Sequence, residues 1–240
     1  MDRAERGLPP VLLRFAWALA AMATASFVYT LAMTHLLHSP HPYGVALFWD
    51  GFVGSDFRIF GEPSRHFGTP GYWNEFGYPL TYPALIAVVF ALFFRLPHPL
   101  AIYLCLCVAG FACWGVWLAW EMARAGVKSG QAAAFATLVL AASWPVVLLL
   151  NTANIEGIVA IVLAAGVYAV LRERFWLGAT LIGLAAALKL YPFILLALLI
   201  SRRRYREFAW GLAVAALSTL ASLKAIGPTI LSAQDRKSVV

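Results

Sequence analysis

The sequence predicts an all-α, polytopic membrane protein with about seven transmembrane helices. Of the 240 residues, 62% are hydrophobic and only 12% are charged, whereas a soluble domain is about 45 to 50% apolar and about 25% charged. The mean hydropathy of +0.79 points the same way. The apolar residues also gather into runs close to the roughly 20 residues that a helical crossing of the bilayer needs. A soluble catalytic domain and long disordered regions are therefore excluded.

The first apolar run covers residues 15–37 and follows three arginines near the amino terminus. A cleaved signal peptide also begins with positive charge, but its apolar core is only about 7 to 15 residues long. The longer run favours a retained membrane helix. After it comes the only long polar stretch, an outer loop at residues 38–99 whose apolar segment 82–96 is predicted to be an interfacial helix.

Everything after this loop is apolar with short interruptions, and the whole chain, residues 1–240, reads as one transmembrane domain. The predicted crossings are residues 15–37, 100–120, 131–150, 155–171, 175–189, 191–201 and 208–226.

Residues 82–96 decide the topology because they are short for a crossing. If they span and residues 175–200 form one helix, 8 basic residues lie on the cytoplasmic side and 6 outside. If they lie on the outer surface and the later run breaks at Lys189-Leu-Tyr-Pro192, the count becomes 11 against 3. Proline disfavours helix at the residue before it, and cytoplasmic loops carry an excess of Lys and Arg. The second topology is therefore preferred, with a cytoplasmic amino terminus.

This topology places three polar segments on the outer face: the long loop, residues 151–157 and the break at 189–192. Residues 175–188 and 191–200 are short for full crossings. They are expected to tilt or to meet a locally thin or water-filled region.

The outer loop carries the first candidate site residues, Asp50, Asp56 and Arg58, among aromatic residues. A partly desolvated carboxylate can accept a proton from an incoming hydroxyl, and a guanidinium can bind phosphate oxygens. The alternative interpretation is that both aspartates are turn or helix-cap residues in a Gly-rich loop.

Lys189 is the second candidate, because an ammonium group in apolar surroundings costs a few kcal/mol unless it reaches the interface or meets an anion. A lipid phosphate would satisfy it, and snorkelling to the outer interface is the alternative. Asn154 and Glu156 could orient a sugar or its acceptor, although a plain helix-to-helix turn needs the same residue types.

Other polar groups predict no additional site. The three cysteines do not have the spacing of a disulfide framework or of a metal site, and the five histidines show no metal-ligand spacing. No metal and no cofactor is therefore expected. The basic segment 202–206 is interpreted as a cytoplasmic anchor near anionic lipid, and the net charge of +7 as a signal of membrane orientation without a nucleic-acid partner.

Three motifs together resemble the GT-C superfamily of polyprenyl-phosphate-sugar-dependent glycosyltransferases. They are Asp-Phe-Arg-Ile-Phe at residues 56–60, Tyr-Pro-Leu-Thr-Tyr-Pro at 78–83 and Gly-Leu-Ala-Ala-Ala-Leu-Lys-Leu-Tyr-Pro at 183–192. The best match is glycosyltransferase family 87, the polyprenyl-phosphate-mannose type, over about residues 45–210. Residues 154–160 are also similar to an Asp-Asn-Glu element of oligosaccharyltransferase catalytic subunits.

The resemblance implies that the first outer loop carries the catalytic aspartate, at the position of Asp56, and that a module of seven helices holds the lipid donor. The residues predicted to bind substrate are Arg58, Lys189, Tyr191, Asn154, Glu156 and Asp50. Two departures are visible. Family members usually have Gly-Gln-x-Asn where this chain has Asn-Thr-Ala-Asn, and they are longer, so a truncated member is expected.

The expected activity is an inverting, metal-independent transfer of a sugar, mannose above all, from a polyprenyl phosphate to an acceptor hydroxyl on the outer face of a bacterial inner membrane. The expected partners are membrane lipid and the lipid-linked sugar, which serves as co-substrate. The oligomeric state stays open. The alternatives are a non-catalytic lipid-phosphate-binding protein, an inactive fragment of such an enzyme, and a transporter, which ranks lowest because no inverted repeat of broken helices is visible.

Overall fold

A computed structural model of the chain describes residues 10–38, 53–69 and 83–226. Over these ranges the regular structure is helical and contains no strand, which confirms the predicted all-α class. The α-helices are α1 (Pro10–Leu31), α2 (Ser55–Ile59), α3 (Gly61–Arg65), α4 (Ala84–Phe93), α5 (Pro99–Arg124), α6 (Ser129–Ala141), α7 (Trp144–Thr152), α8 (Glu156–Leu171), α9 (Phe175–Leu188), α10 (Ala197–Ser201) and α11 (Tyr205–Ile226). A π-helical turn, Ala32–Leu36, continues α1, and a 3₁₀ segment, Tyr191–Leu196, precedes α10.

Three helical segments among the described residues are long and apolar enough to cross a membrane: Leu13–Leu36, α5 and α11. The pair α6 and α7 adds a fourth if both helices belong to one bent span. The chain is therefore a membrane protein. The remaining apolar helices, α4, α8, α9 and the segment Tyr191–Ser201, are shorter, so the count of seven crossings and the interfacial position of α4 stay predictions.

The chain divides into two compact units. The first consists of the described parts of residues 1–55 and 104–157. In it, α1 packs on α6 and α7, and Trp17 meets Phe135 edge-on with ring centroids 5.3 Å apart. Ala20, Met122 and Ala132 complete the buried centre. Large and small side chains alternate here, which lets neighbouring helices approach closely.

One predicted crossing of the first unit, residues 131–150, is two helices bent by 43°. The chain leaves helical geometry at Ala142 and is extended at Ser143, and α7 begins with Pro145 in its first turn. Proline lacks the N–H that would continue the helical hydrogen bonds, and its ring clashes with the preceding turn. Pro145, in the triplet Ser143-Trp144-Pro145, indicates this bend in the sequence. The prediction of one continuous crossing at residues 131–150 did not take it into account.

The second unit consists of the described parts of residues 56–103 and 158–240. Here α9 and α11 run side by side in the same direction. Trp176 meets Trp210 near the start of both helices, Thr180 Oγ1 accepts a 2.8 Å hydrogen bond from Trp210 Nε1, and Gly183 faces Gly211 further along.

Glycine permits this close crossing. A methyl group at Gly183 would lie 2.5 Å from the carbonyl oxygen of Gly211, and one at Gly178 would lie 3.0 Å from the carbonyl oxygen of Gly166 on α8. Small residues allow membrane helices to bring their backbones together in this way. α9 is therefore held between α8 and α11 by backbone-to-backbone packing.

α9 ends at Leu188, and Lys189 has an extended backbone with φ −147° and ψ 142°. The predicted break at Lys189 is confirmed. The chain then turns into the 3₁₀ segment and α10, which lead back to the start of α11. Since α9 and α11 are parallel, residues 191–201 run antiparallel to both.

Candidate functional site

The break at Lys189 is the most unusual polar position of the second unit. Its side chain is half-buried, and the residues before it, Ala185 to Leu188, are buried at 4% exposure or less. Tyr191, which opens the 3₁₀ segment, is 52% exposed, and Pro192 is buried. The proline makes a continuous helix through this point unfavourable. The helix break and the cation of Lys189 therefore lie at the same place in the chain.

The break lies well along α9. Thirteen residues separate Trp176 from Lys189, which at 1.5 Å per residue is about 20 Å along the helix axis. On the parallel α11, the residues opposite this end of α9 are Ala215, Ala216 and Thr219, at and just beyond the middle of a helix about 33 Å long. Lys189 is therefore an internal position of the helical layer.

A cavity of about 550 Å³ adjoins the break. Its size falls in the range of about 300 to 1,000 Å³ that is usual for ligand sites. Ala187, two residues before Lys189, and Leu190, directly after it, both line this cavity. Among the described lining residues, Thr219 has the one polar side chain, and its hydroxyl donates to the carbonyl oxygen of Ala215 over 2.9 Å. The lining residues are Pro83, Ala186, Ala187, Leu190, Phe193, Leu212, Ala215, Ala216, Thr219 and Leu220.

Asp56 lies in the first turn of α2, and aromatic contacts hold this five-residue helix in place. Phe57 is 1% exposed. Its ring lies 5.2 Å from that of Phe90 and 5.2 Å from that of Tyr103 between centroids. Phe60, one turn later on the same face, stacks on Phe90 at 4.3 Å. Two phenylalanines at helical spacing thus anchor a helix too short to be stable by itself.

These aromatic contacts determine which side chains of α2 are buried and which are exposed. Asp56 is half-buried, and Arg58, on the opposite side from the buried phenylalanines, is exposed. Asp56, Arg58, Lys189 and Tyr191 all belong to the second unit. The aromatic residues Phe57, Phe60 and Phe90 were not among the predicted site residues, although the spacing of the first two was a usable signal.

Asn154 and Glu156 belong to the first unit. Asn154 Oδ1 accepts a 2.9 Å hydrogen bond from the backbone N–H of Glu156, which begins α8. This is a helix-capping contact of the kind that Asn favours. Ala153, just before it, has a left-handed backbone with φ 51°. The contact gives Asn154 a structural role, and the substrate roles of both residues stay predictions. Asp50 lies outside the described residues.

The first unit contains a cavity of its own, of about 530 Å³, beside the bend between α6 and α7. Apart from Asn151 at one end, its described lining is apolar. The carbonyl oxygen of Asn151 accepts a 2.7 Å hydrogen bond from the N–H of Gly54. Sequence reasoning predicted neither cavity. In the part of the chain that the structure describes, no group of three or more His, Cys, Asp or Glu residues could hold a metal ion.

Comparison with known proteins gives one family match. The sequence profile of glycosyltransferase family 87 matches residues 80–233, almost two-thirds of the chain. No curated protein and no solved structure matches it. The matched range contains α4 to α11, the cavity beside Lys189 and the first-unit bend, and it begins downstream of Asp56.

Proposed function

Because the chain belongs to glycosyltransferase family 87, and is therefore a glycosyltransferase of the membrane, we propose that it transfers mannose from a polyprenyl phosphate to an acceptor hydroxyl. The donor is both substrate and membrane lipid. The observation that carries this proposal is the apolar cavity of about 550 Å³ next to the half-buried Lys189. A polyprenyl phosphate has the two chemical parts that such a site would bind: a hydrocarbon chain and an anion.

The position of Lys189 along α9 supports a donor phosphate held within the membrane. Tryptophans concentrate at membrane interfaces, and Trp176 and Trp210 meet near one end of α9 and α11. If they mark one interface, Lys189 lies about 20 Å further on, inside a hydrocarbon core about 30 Å thick. An ammonium group at this depth is suited to attract an anion such as a lipid phosphate.

The proposed reaction belongs to the GT-C type and inverts the anomeric carbon. The Asp56 carboxylate takes the proton of the acceptor hydroxyl, whose oxygen forms a new bond to the anomeric carbon. The bond between that carbon and the phosphate oxygen breaks, and its electron pair leaves with the polyprenyl phosphate. Arg58 and Lys189 neutralise the charge that develops on this phosphate. Tyr191, Asn154, Glu156 and Asp50 position sugar or acceptor, and no metal takes part.

The proposed topology has seven crossings, a cytoplasmic amino terminus and a site on the outer face of a bacterial inner membrane. The excess of basic residues on one side, 11 against 3, supports it. Reporter fusions after Lys128 and after Arg174 are expected to show both positions inside. An outward location of both would overturn the topology.

The role of Asp56 is tested by Asp56→Asn, which keeps the size of the side chain and removes the base. We expect transfer from radiolabelled polyprenyl-phosphate mannose to fall by about 10³-fold or more, because general-base catalysis contributes roughly 10² to 10⁴. The assay uses purified full-length protein that elutes as a single species in detergent.

Glu62→Gln is the matched control. Glu62 lies one helix later, in α3, and its carboxylate forms an exposed ion pair with Arg65 at 3.0 Å. Its loss should change transfer less than about twofold, since exposed ion pairs contribute little. Full transfer activity in Asp56→Asn would contradict the assignment of Asp56 as the general base.

Binding of a lipid phosphate without transfer is the second candidate function. The cavity and Lys189 favour it, because neither requires a catalytic base. It predicts that the normal chain binds polyprenyl phosphate through Lys189 and transfers no sugar from any polyprenyl-linked donor. A single confirmed transfer product would eliminate it.

A further inference from the structure

The second unit has another cavity, of about 480 Å³, at the end of α9 opposite Lys189. Two chain turns form it. The α8–α9 turn contributes residues 173–177, and the α10–α11 turn contributes Arg204 and Glu207. Glu173 and Arg203 have left-handed backbones, with φ 61° and 58°, which keeps both turns tight. The cavity is independent of the proposed catalytic site.

The two turns that form this cavity carry an excess of positive charge, although the charged residues that line it are two arginines and two glutamates. The two turns hold six arginines against two glutamates, a net charge of +4. They are Arg172, Arg174, Arg202, Arg203, Arg204 and Arg206. In the described part of the chain, Arg174 lines the cavity and makes no ion pair. Arg202, Arg203 and Arg206 also make no ion pair in that part of the chain, but they lie in the turns and do not line the cavity. Arg174 is therefore the lining guanidinium that is available to an external anion.

The two acidic groups do not cancel this charge. Glu207 is only 8% exposed and has Arg204 as its partner, with 3.9 Å between Oε1 and a guanidinium nitrogen. The same guanidinium lies over the Phe175 ring, 4.4 Å from its centroid. Arg204 is thus oriented from two sides at the cavity wall.

Aromatic and apolar groups line the remainder. Phe175, Trp176 and Leu177 all border the cavity, and Trp176 is 54% exposed at the start of an apolar helix. Tryptophan at such a position is typical of the membrane interface. The cavity therefore combines guanidinium donors with a surface suited to the glycerol backbone and first methylene groups of a lipid.

We propose that this cavity binds the phosphate of one anionic phospholipid headgroup. Basic pockets at the ends of membrane helices are suited to anionic lipid, and the guanidinium fork matches phosphate oxygens. The acyl chains would lie beside Trp176 and Leu177, the two exposed residues in the first turn of α9. This lipid would occupy the opposite side of the layer from the proposed donor site.

Native mass spectrometry of the detergent-solubilised full-length chain tests the proposal. Phosphatidylglycerol, phosphatidylethanolamine and inorganic phosphate are titrated separately. We expect one phosphatidylglycerol to bind at least fivefold more tightly than phosphatidylethanolamine. Arg174→Gln should weaken that binding by about fivefold, the effect of one basic residue near a lipid surface. Arg174 has no side-chain partner among the described residues, so the variant is expected to fold.

Arg95→Gln is the charge-matched control, because Arg95 is an exposed arginine distant in sequence from both turns. It should leave the affinity for phosphatidylglycerol within twofold of the original. Equal weakening in both variants would overturn the proposal by showing a general charge effect. Equal affinity for phosphatidylethanolamine, or binding of inorganic phosphate as tight as that of the lipid, would overturn it as well.

Discussion

The two units each contain a helix interrupted near a proline, and each interruption adjoins an apolar cavity. In the first unit the chain becomes extended at Ser143, two residues before Pro145. In the second it becomes extended at Lys189, three residues before Pro192. The cavities are similar in size, about 530 and 550 Å³. Proline chemistry therefore produced much the same local structure twice.

The two breaks differ in the side chain that occupies them. Ser143 is small and 4% exposed, and its break is a bend of 43° in a sequence that otherwise continues as helix. Lys189 carries a charge, and the chain after it reverses direction. A broken helix with a cavity is thus insufficient evidence for a binding site. The positive charge at the second break is what makes it a candidate for an anionic donor.

The largest expected effect comes from removing that charge. Lys189→Met keeps the length and the apolar character of the side chain. We expect kcat/KM for sugar transfer to fall by about 100-fold, the usual effect of losing one group that stabilises developing negative charge. Initial rates with polyprenyl-phosphate mannose measure it.

Ser143→Ala is the corresponding change at the first break and should alter kcat/KM less than twofold. Comparable losses in the two variants would show that either break matters only for folding. Normal rates of sugar transfer in Lys189→Met would contradict the argument that the charge at the second break binds the donor.

The next effect concerns the two cavities. Ala216 on α11 lines the second-unit cavity, and Ala112 on α5 lines that of the first unit; both are exposed. Ala216→Trp should fill the proposed chain-binding space and raise KM for a long-chain polyprenyl donor by about tenfold, as expected when a ligand loses an apolar pocket. KM for a short-chain analogue should change little.

Ala112→Trp introduces the same side chain into the other cavity and should leave both KM values within twofold. If it raised KM for the long-chain donor and Ala216→Trp did not, the donor chain would have been assigned to the wrong unit.

The smallest expected effect is a change in Tm when a glycine at a helix contact in each unit is replaced by alanine. A methyl group at Gly183 would meet a backbone oxygen at 2.5 Å, whereas one at Gly115 would meet only Leu140 Cδ1, at 2.7 Å. A backbone atom cannot move aside as a side chain can, and overpacking costs typically 1 to 3 kcal/mol of stability. The better helix propensity of alanine offsets about 1 kcal/mol of this cost. Gly183→Ala should lower Tm by about 3 to 6 °C.

Gly115→Ala should leave Tm unchanged or raise it by about 2 °C, because Leu140 borders the first-unit cavity and can rotate into it. Thermal unfolding in detergent, followed by circular dichroism, gives both values. An equal fall in the two variants would contradict the argument that α9 and α11 are in backbone contact.

Local rules explain which site features were predictable. Lys189 could be predicted as a site residue because a charged side chain is unusual within an apolar segment. The break of the helix at Lys189 was predicted from Pro192, three residues later. Asp56 was visible as a carboxylate among aromatic residues. The bend at Ser143 obeyed the same proline rule and was missed because no charged residue drew attention to it. Asn154 was predicted to bind substrate, and that role stays a prediction; its side-chain amide oxygen also caps α8, which the sequence analysis did not predict.

The sequence by itself determined the membrane-protein class, the all-helical fold and the interruption at Lys189, because hydropathy and proline geometry act between residues close in the chain. Tertiary structure decided which distant segments meet. The parallel contact of α9 with α11 depends on two glycines 28 positions apart, and α2 depends on Phe57 reaching Phe90 and Tyr103. The cavity beside Lys189 exists only where α9, the 3₁₀ segment and α11 pack around it, since the volume between helices is a property of their arrangement in space.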